Sequence, residues 1–270
     1  MKNQETLSDL SKFFEKNYSP EVMMPLIPTI IRLDGNNFSK FTKGLEKPFD
    51  ESLTDLMIDC SKFLLEETNA NIAFTQSDEI SLILYSDSLK SPIYHNGEKQ
   101  KILSKLTGKL VTFFNDKRQE YLPKHNKVAN FDCRIYQVPS MKWACNQLLW
   151  RENDAIRNSI SMLAQSLFSQ KILNGLTDNQ MKELLLEDKG VKWNDLHPKF
   201  KRGSYIKKTL VKRVFSISEL ESLPKKHNAH KNPDLEIERN IISRIDMPKF
   251  SSIENPIDVV FYDKLPIIKN

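Results

Sequence analysis

Residues 71–85 read Asn-Ile-Ala-Phe-Thr-Gln-Ser-Asp-Glu-Ile-Ser-Leu-Ile-Leu-Tyr. Two apolar, β-branched runs, 71–74 and 80–85, flank a short polar stretch, which predicts two strands joined as a hairpin. Upstream, Thr29-Ile30-Ile31-Arg32-Leu33 is a third strand that stops at Asp34-Gly35. Between them, Leu53, Leu56, Met57, Cys60, Phe63 and Leu64 recur at helical spacing and predict a helix over 51–67. Downstream, Ile102, Leu103, Leu106, Leu110, Phe113 and Phe114 predict a helix over 99–119, and 131–138 alternates as a strand. Strand, helix, strand, strand, helix, strand is a split βαβ order. The expected fold is α+β: a ferredoxin-like βαββαβ antiparallel sheet with helices on one face.

The rest of the chain is less regular. Residues 6–17 suit a short helix with Leu7, Leu10, Phe13 and Phe14 on one side, and 141–172 and 177–187 are largely helical. Segment 187–213 holds nine Lys/Arg against three acids, with Trp193, Phe200 and Tyr205 among them. Basic residues interleaved with aromatics suit a phosphate backbone with exposed bases; a solvated basic hairpin, with a strand at 204–211, is the plainer reading. Residues 221–270 carry eight charges of each sign and read as an irregular, proline-interrupted extension. Three regions follow: 1–140 with the N-terminal helix and the sheet, 141–220 helical and basic, and 221–270.

Composition excludes several classes. The chain has 270 residues, 39% hydrophobic and 28% charged, with a net charge of +5, as in a soluble globular protein. No apolar run reaches the roughly 18 residues of a membrane span, and the polar N-terminus is no secretory signal. Three scattered cysteines form no disulfide framework, so a reducing cytoplasm is expected. Only seven glycines occur, and none builds a P-loop or a dinucleotide loop.

Chemistry concentrates at two strand ends. In a split βαβ sheet the first and third strands are neighbours, so Asp34 and Asp78 lie side by side at one edge. Either aspartate alone is as well explained as a turn or hairpin cap. As a pair they repel unless a cation lies between them, and Mg²⁺ takes such oxygen ligands while keeping positions for substrate phosphates. Gly35 lets its carbonyl approach a metal, and Glu79 is a further, outer acid. Arg32, Lys40, Lys43 and Lys47 follow within sixteen residues, and Asn36 and Asn37 add donors for a triphosphate. The five histidines form no ligand pattern near the aspartates. In the helix from 150, Trp150, Ile160, Leu163 and Ala164 are expected in the core, while Arg151, Asp154, Arg157 and Asn158 share a face.

These residues resemble a known family. Arg32-Leu33-Asp34-Gly35-Asn36-Asn37-Phe38, Lys47-Pro48-Phe49-Asp50 and Gln76-Ser77-Asp78-Glu79 occur in order. They are followed by Phe131-Asp132-Cys133-Arg134, Trp150-Arg151-Glu152-Asn153-Asp154, Arg157-Asn158-Ser159 and Lys201-Arg202-Gly203-Ser204. Together they resemble the tRNA-His guanylyltransferase family, and more closely its guanylyltransferase-like 3′-to-5′ polymerases. The resemblance implies a palm-like catalytic domain with two Mg²⁺ ions on Asp34, Asp78 and the Gly35 carbonyl. It implies ATP-dependent activation of an RNA 5′ end, then attack by the 3′-hydroxyl of GTP or another NTP. Arg32, Asn36, Asn37, Phe38, Lys47, Asp50 and Ser77 become nucleotide-binding candidates. Lys101, Lys105, Arg151, Arg157, Asn158, Lys201 and Arg202 become contacts to RNA or triphosphate. tRNA is the implied partner and a homotetramer the implied assembly.

One departure matters. Where the guanylyltransferases proper carry His-Ile-Asn-Asn, this chain has Ile156-Arg157-Asn158-Ser159. The change favours templated repair of shortened tRNA 5′ ends over untemplated guanylate addition to tRNA-His. A palm-domain nucleotide cyclase and a non-catalytic RNA-binding module are the alternatives. The basic segment argues against the first, and the retained Asp34 and Asp78 against the second.

Overall fold

The computed structural model describes residues 6–18, 21–91, 93–232 and 234–269. Six strands form one antiparallel sheet: β1 (Thr29–Gly35), β2 (Ile72–Gln76), β3 (Glu79–Leu84), β4 (Phe131–Gln137), β5 (Ser204–Val214) and β6 (Glu236–Ile245). Their order is β4-β1-β3-β2-β5-β6. Among the described residues ten α-helices accompany them: α1 (Leu7–Tyr18), α2 (Phe38–Phe41), α3 (Glu51–Thr68), α4 (Lys99–Tyr121), α5 (Met141–Leu167), α6 (Gln170–Leu173), α7 (Asp178–Lys189), α8 (Pro198–Arg202), α9 (Ile217–Ser222) and α10 (Pro256–Phe261). No helix among the described residues is long and apolar enough to cross a membrane.

The period-two pattern of the strands sets both faces of the sheet. On one face Ile31, Leu33, Ile80, Leu82 and Ile135 pack with Leu56, Leu64, Leu106 and Phe114 of α3 and α4. Each fully buried side chain of this size contributes about 1.5–3 kcal/mol. On the other face Ile30, Ile72, Phe74 and Ile83 pack with Ala144, Cys145 and Leu148 of α5 and Val259 and Val260 of α10. The βαββαβ order and the α3/α4 layer are as the sequence predicts. α3 and α4 lie on one face as expected; α5 and α10, from the rest of the chain, cover the other where Ile30, Ile72, Phe74 and Ile83 make it apolar.

The extension from 221 is also more regular than expected. Ten residue pairs, Tyr205–Ile245 to Val214–Glu236, join β6 to β5. Only Ser204–Ile206 of β5 pair with β2, so the basic hairpin is a ribbon running past the sheet. Buried polar ties fix the chain end to this frame. The Lys207 ammonium, almost fully buried, lies 2.8 Å from Asp263 and donates to the Val259 carbonyl. Glu152, fully buried on α5, pairs with Arg202 at 3.1 Å and accepts the Phe250 N–H at 2.8 Å.

Candidate active site

The hairpin turn is tighter than the sequence suggests. Gln76 and Glu79 are already paired in the β2–β3 ladder, so the turn is Ser77-Asp78 alone. Ser77 takes a left-handed φ of 54°. This draws Glu79 into the ladder opposite Asp34 and leaves Asp78 at the tip. Where β1 ends, the Gly35 N–H donates to the Asp78 carbonyl at 3.2 Å. A Cβ on Gly35 would lie 2.9 Å from Asp78 Oδ2 and 2.3 Å from the Phe38 ring. The glycine is what lets the Asp78 carboxylate reach the end of β1.

Register gives the site its rows. Asp34 lies between Glu79 on β3 and Asp132 on β4, all on the face covered by α5. One row further in, Arg32 lies between Ser81 and Arg134. The four acids are not equivalent. Glu79 is gripped by Arg151 of α5, Nε to Oε1 at 2.6 Å and Nη2 to Oε2 at 2.7 Å, with Arg32 Nε at 3.9 Å. Burial pushes its carboxyl upward while both guanidiniums pull the other way. Asp78 has no such partner: burial, helped by the charges of Asp34 and Glu79, raises it to about 6. Asp34, Asp78 and the Gly35 carbonyl are the hard oxygen atoms at this edge, the donor type that a divalent cation takes. Among the described residues no group of three His, Cys, Asp or Glu side chains is placed to hold a metal.

Beside this edge a cavity opens next to β2, lined by Glu46–Asp50, Leu53, Thr54, Gln76, Ser77, Lys199 and Phe200. Phe49 and Phe200 stack at 5.1 Å between ring centroids. Lys199, largely buried, reaches Glu51 at 2.7 Å and Asp55 at 3.0 Å and so ties α8 to α3. Asp50 caps α3: its carboxylate accepts Leu53 N–H at 2.9 Å and Glu46 N–H at 3.1 Å. That bond set forms the Lys47-Pro48 loop, the wall of the cavity that presents the exposed Lys47.

The other expected site residues divide. Asn36 and Asn37 are exposed just past β1, and Ser77 is exposed at the turn. Phe38 is buried against Phe41, Phe114 and Phe131, an anchor beneath the site rather than an open wall. Arg157 and Asn158 are exposed on α5, and Arg157 pairs with Asp154. Arg202 is committed to Glu152, and Lys201 donates to the Asn194 carbonyl. Lys101 and Lys105 stand apart from the rest. They open α4, whose first turn joins Glu21 while its last turns reach Ala129 and Phe131. β4 starts level with Gly35, so these lysines lie toward the other end of the sheet, about 14–20 Å of helix from the carboxylate end.

Trp150 was expected in the core but is 46% exposed. The guanidiniums of Arg151 and Arg32 lie 4.6 and 5.7 Å from its ring centroid. Sequence alone names Asp132 and Phe200 without giving them a role at the site, and misses Lys199; register places the first, and the packing of α8 on α3 the others.

An antiparallel palm-like sheet with paired carboxylates at one end of its central strands, and a lysine-bearing cavity beside them, defines the class as a nucleotidyltransferase. The sequence profile of tRNAHis guanylyltransferase matches residues 9–139. The tRNA(His) guanylyltransferase of Saccharomyces cerevisiae is 30% identical over 75% of this chain and 92% of its own length. A bacterial tRNA(His) guanylyltransferase-like protein, solved in complex with ATP, superposes with a TM-score of 0.76 at 29% identity, covering 95% of this chain and 99% of that one. A second such structure, in complex with GTP, gives 0.70 at 27% identity, covering 96% and 100%. The chain belongs to the tRNA(His) guanylyltransferase family.

Proposed function

We propose that the chain extends tRNA 5′ ends in the 3′-to-5′ direction, by ATP-dependent activation followed by templated nucleotide addition. The observation that carries the reading is the cavity of Lys47, Gln76 and Ser77 opening onto the turn that holds Asp78. ATP would occupy it, with its triphosphate toward Lys47 and its α-phosphate at Asp34 and Asp78. Mg²⁺ fits the oxygen donors there, and when bound it would neutralise phosphate charge and lower the pKa of an attacking hydroxyl. The steric need for glycine at 35 supports that fit.

The chemistry balances in two displacements. An oxygen of the RNA 5′-monophosphate attacks the ATP α-phosphorus; a P–O bond forms and pyrophosphate leaves. The 3′-hydroxyl of the incoming GTP or other NTP then attacks the RNA 5′-phosphorus, forming a P–O bond and giving its proton to solvent water, and AMP leaves. Asp34 and Asp78 would hold the cation that meets the phosphates, Lys47 offsets the leaving charge, and Asn36 and Asn37 offer donors to the incoming nucleotide. Glu79 takes no proton, because Arg151 holds both of its oxygens.

Templated addition is favoured by the α5 stretch. Ile156 replaces the histidine of the untemplated enzymes. Ser159 is buried, donating to the Ile156 and Lys201 carbonyls and accepting from Trp193 Nε1 at 3.0 Å, so it faces no nucleotide. Three free cysteines, two of them buried, fit a reducing cytoplasm. The exposed apolar side chains of α1, Leu7, Phe13 and Phe14, fit burial in a homotetramer, which sedimentation equilibrium tests.

The deciding experiment incubates the protein with Mg²⁺, ATP, all four NTPs and a tRNA lacking its first 5′ nucleotide. The expected product is one nucleotide longer, complementary to the opposing base, and absent with Asp34→Ala. Addition of guanylate whatever the opposing base would replace templated repair with untemplated transfer.

A further inference from the structure

Trp150 is an anomaly that the reaction above does not use. It stands over β1 on the face that carries Asp34, exposed on the first half of α5. Two guanidiniums fix it: Arg151, itself locked to Glu79 and Asp154, and Arg32, held in the sheet beside Asp34. An indole that was only core filling would be buried with its N–H satisfied. Here a large aromatic surface faces solvent, held rigid by cations, one strand row from the carboxylates.

The sheet order separates this ring from the nucleotide cavity. The cavity opens beside β2, Asp78 lies in the β2–β3 turn, and Trp150 lies over β1, on the far side of β3. An in-line displacement needs attacking and leaving groups on opposite sides of the reacting phosphorus. With ATP in the cavity, the RNA 5′-phosphate must arrive from the β1 side, and its nucleoside then lies within reach of the indole. Aromatic rings with flanking arginines take exposed bases by stacking, with little sequence preference.

We propose that Trp150 is the stacking platform for the base of the RNA 5′-terminal nucleotide, with Arg151 and Arg32 as its positioning residues. The inference rests on the 5′-end reading of the site. It assigns the ring to RNA and not to either nucleoside triphosphate. A sequence-tolerant platform also suits an enzyme whose 5′-terminal base is dictated by a template.

The test compares wild type, Trp150→Leu and Trp150→Phe on a 5′-monophosphorylated tRNA lacking its first nucleotide. A matched tRNA abasic at the 5′-terminal position serves as the second probe. RNA binding is read by filter retention and by quenching of tryptophan fluorescence. Trp150→Leu should fold normally, weaken RNA binding about tenfold or more, remove most of the quenching, and leave the KM for ATP unchanged. Trp150→Phe should recover most of the binding, and the abasic tRNA should bind wild type and Trp150→Leu alike. Unchanged RNA binding in Trp150→Leu, or a rise in the KM for ATP or the incoming NTP instead, overturns the assignment. A wild-type chain that binds the RNA but does not extend it overturns the proposed reaction and leaves the platform comparison intact; one that does not bind it overturns both.

Discussion

Arg151 holds Glu79 across the gap between α5 and β3, Nη2 donating to Oε2 at 2.7 Å and Nε lying 2.6 Å from Oε1. Both side chains are largely buried, so the pair is an internal fork and not a surface bridge. It sets Glu79 apart from its neighbours Asp34 and Asp78: Glu79 is neutralised by protein, and in the proposed reaction the other two would hold a cation.

Removing one partner of that fork strands the other. Arg151→Ala should cost about 3 kcal/mol or more of stability, the usual penalty for an orphaned buried charge. Glu79→Gln keeps an acceptor and should cost less. Because Arg151 already occupies both Glu79 oxygens, Glu79→Gln should bind Mn²⁺ as wild type does, whereas Asp78→Asn should lose binding. Urea denaturation and Mn²⁺ titration followed by electron paramagnetic resonance read the two effects separately.

Asp78 makes the site pH-sensitive. Its carboxyl is raised from 3.8 to about 6, chiefly by burial. A raised acid favours the folded state while protonated; that contribution is full below the unfolded value and is lost as pH rises through about 6. At pH 8 without metal, Asp78→Asn should therefore gain on the order of 2–3 kcal/mol of stability, and at pH 3 almost nothing. Cation binding has the opposite sense, because the cation needs the ionised carboxylate. Mn²⁺ affinity should be level above pH 7 and fall about tenfold for each pH unit well below 6. Thermal melts and calorimetric titration across pH 5–8 check both limbs.

Activity should follow the same pair. If Asp34 and Asp78 hold the proposed ion, Asp34→Ala and Asp78→Ala should each cost several kcal/mol, or roughly a thousandfold in rate. Lys47→Ala should raise the KM for ATP while the KM for the RNA holds. Single-turnover extension of the shortened tRNA, with each substrate varied in turn, separates the two patterns.

How far the sequence reaches depends on range. The central hairpin, β1 and the helices α3 and α4 are legible because their side-chain periodicity is local and strong. Asp34 and Asp78 are legible because strand order makes them neighbours. β6 is hidden because Glu-Ile-Glu-Arg-Asn-Ile-Ile-Ser-Arg-Ile is mostly exposed and alternates weakly; only its ten-residue pairing with β5 makes it a strand. The place of Lys101 and Lys105 is hidden because helical spacing gives a face but not which end of the sheet that face reaches. Trp150 misleads because a tryptophan in an apolar helix ordinarily packs inward. Two arginines hold this one at the surface, and one of them comes from a strand 118 positions away.

Gly35 offers the most direct test of how fold and site are joined. The β1 backbone, the Asp78 carboxylate and the Phe38 ring converge on its missing side chain. An alanine methyl 2.3 Å from the ring and 2.9 Å from Oδ2 forces one of them aside. Phe38 packs against Phe41, Phe114 and Phe131 and has little room to move, so Asp78 should give way and open the donor set. Overpacking of this kind costs about 1–3 kcal/mol. Gly35→Ala should therefore destabilise modestly yet lose Mn²⁺ affinity and extension almost as fully as Asp78→Ala. Adding Phe38→Leu makes room on the ring side and should return part of both. If the double variant recovers stability without recovering Mn²⁺ binding, steric displacement of Asp78 is not how Gly35 serves the site.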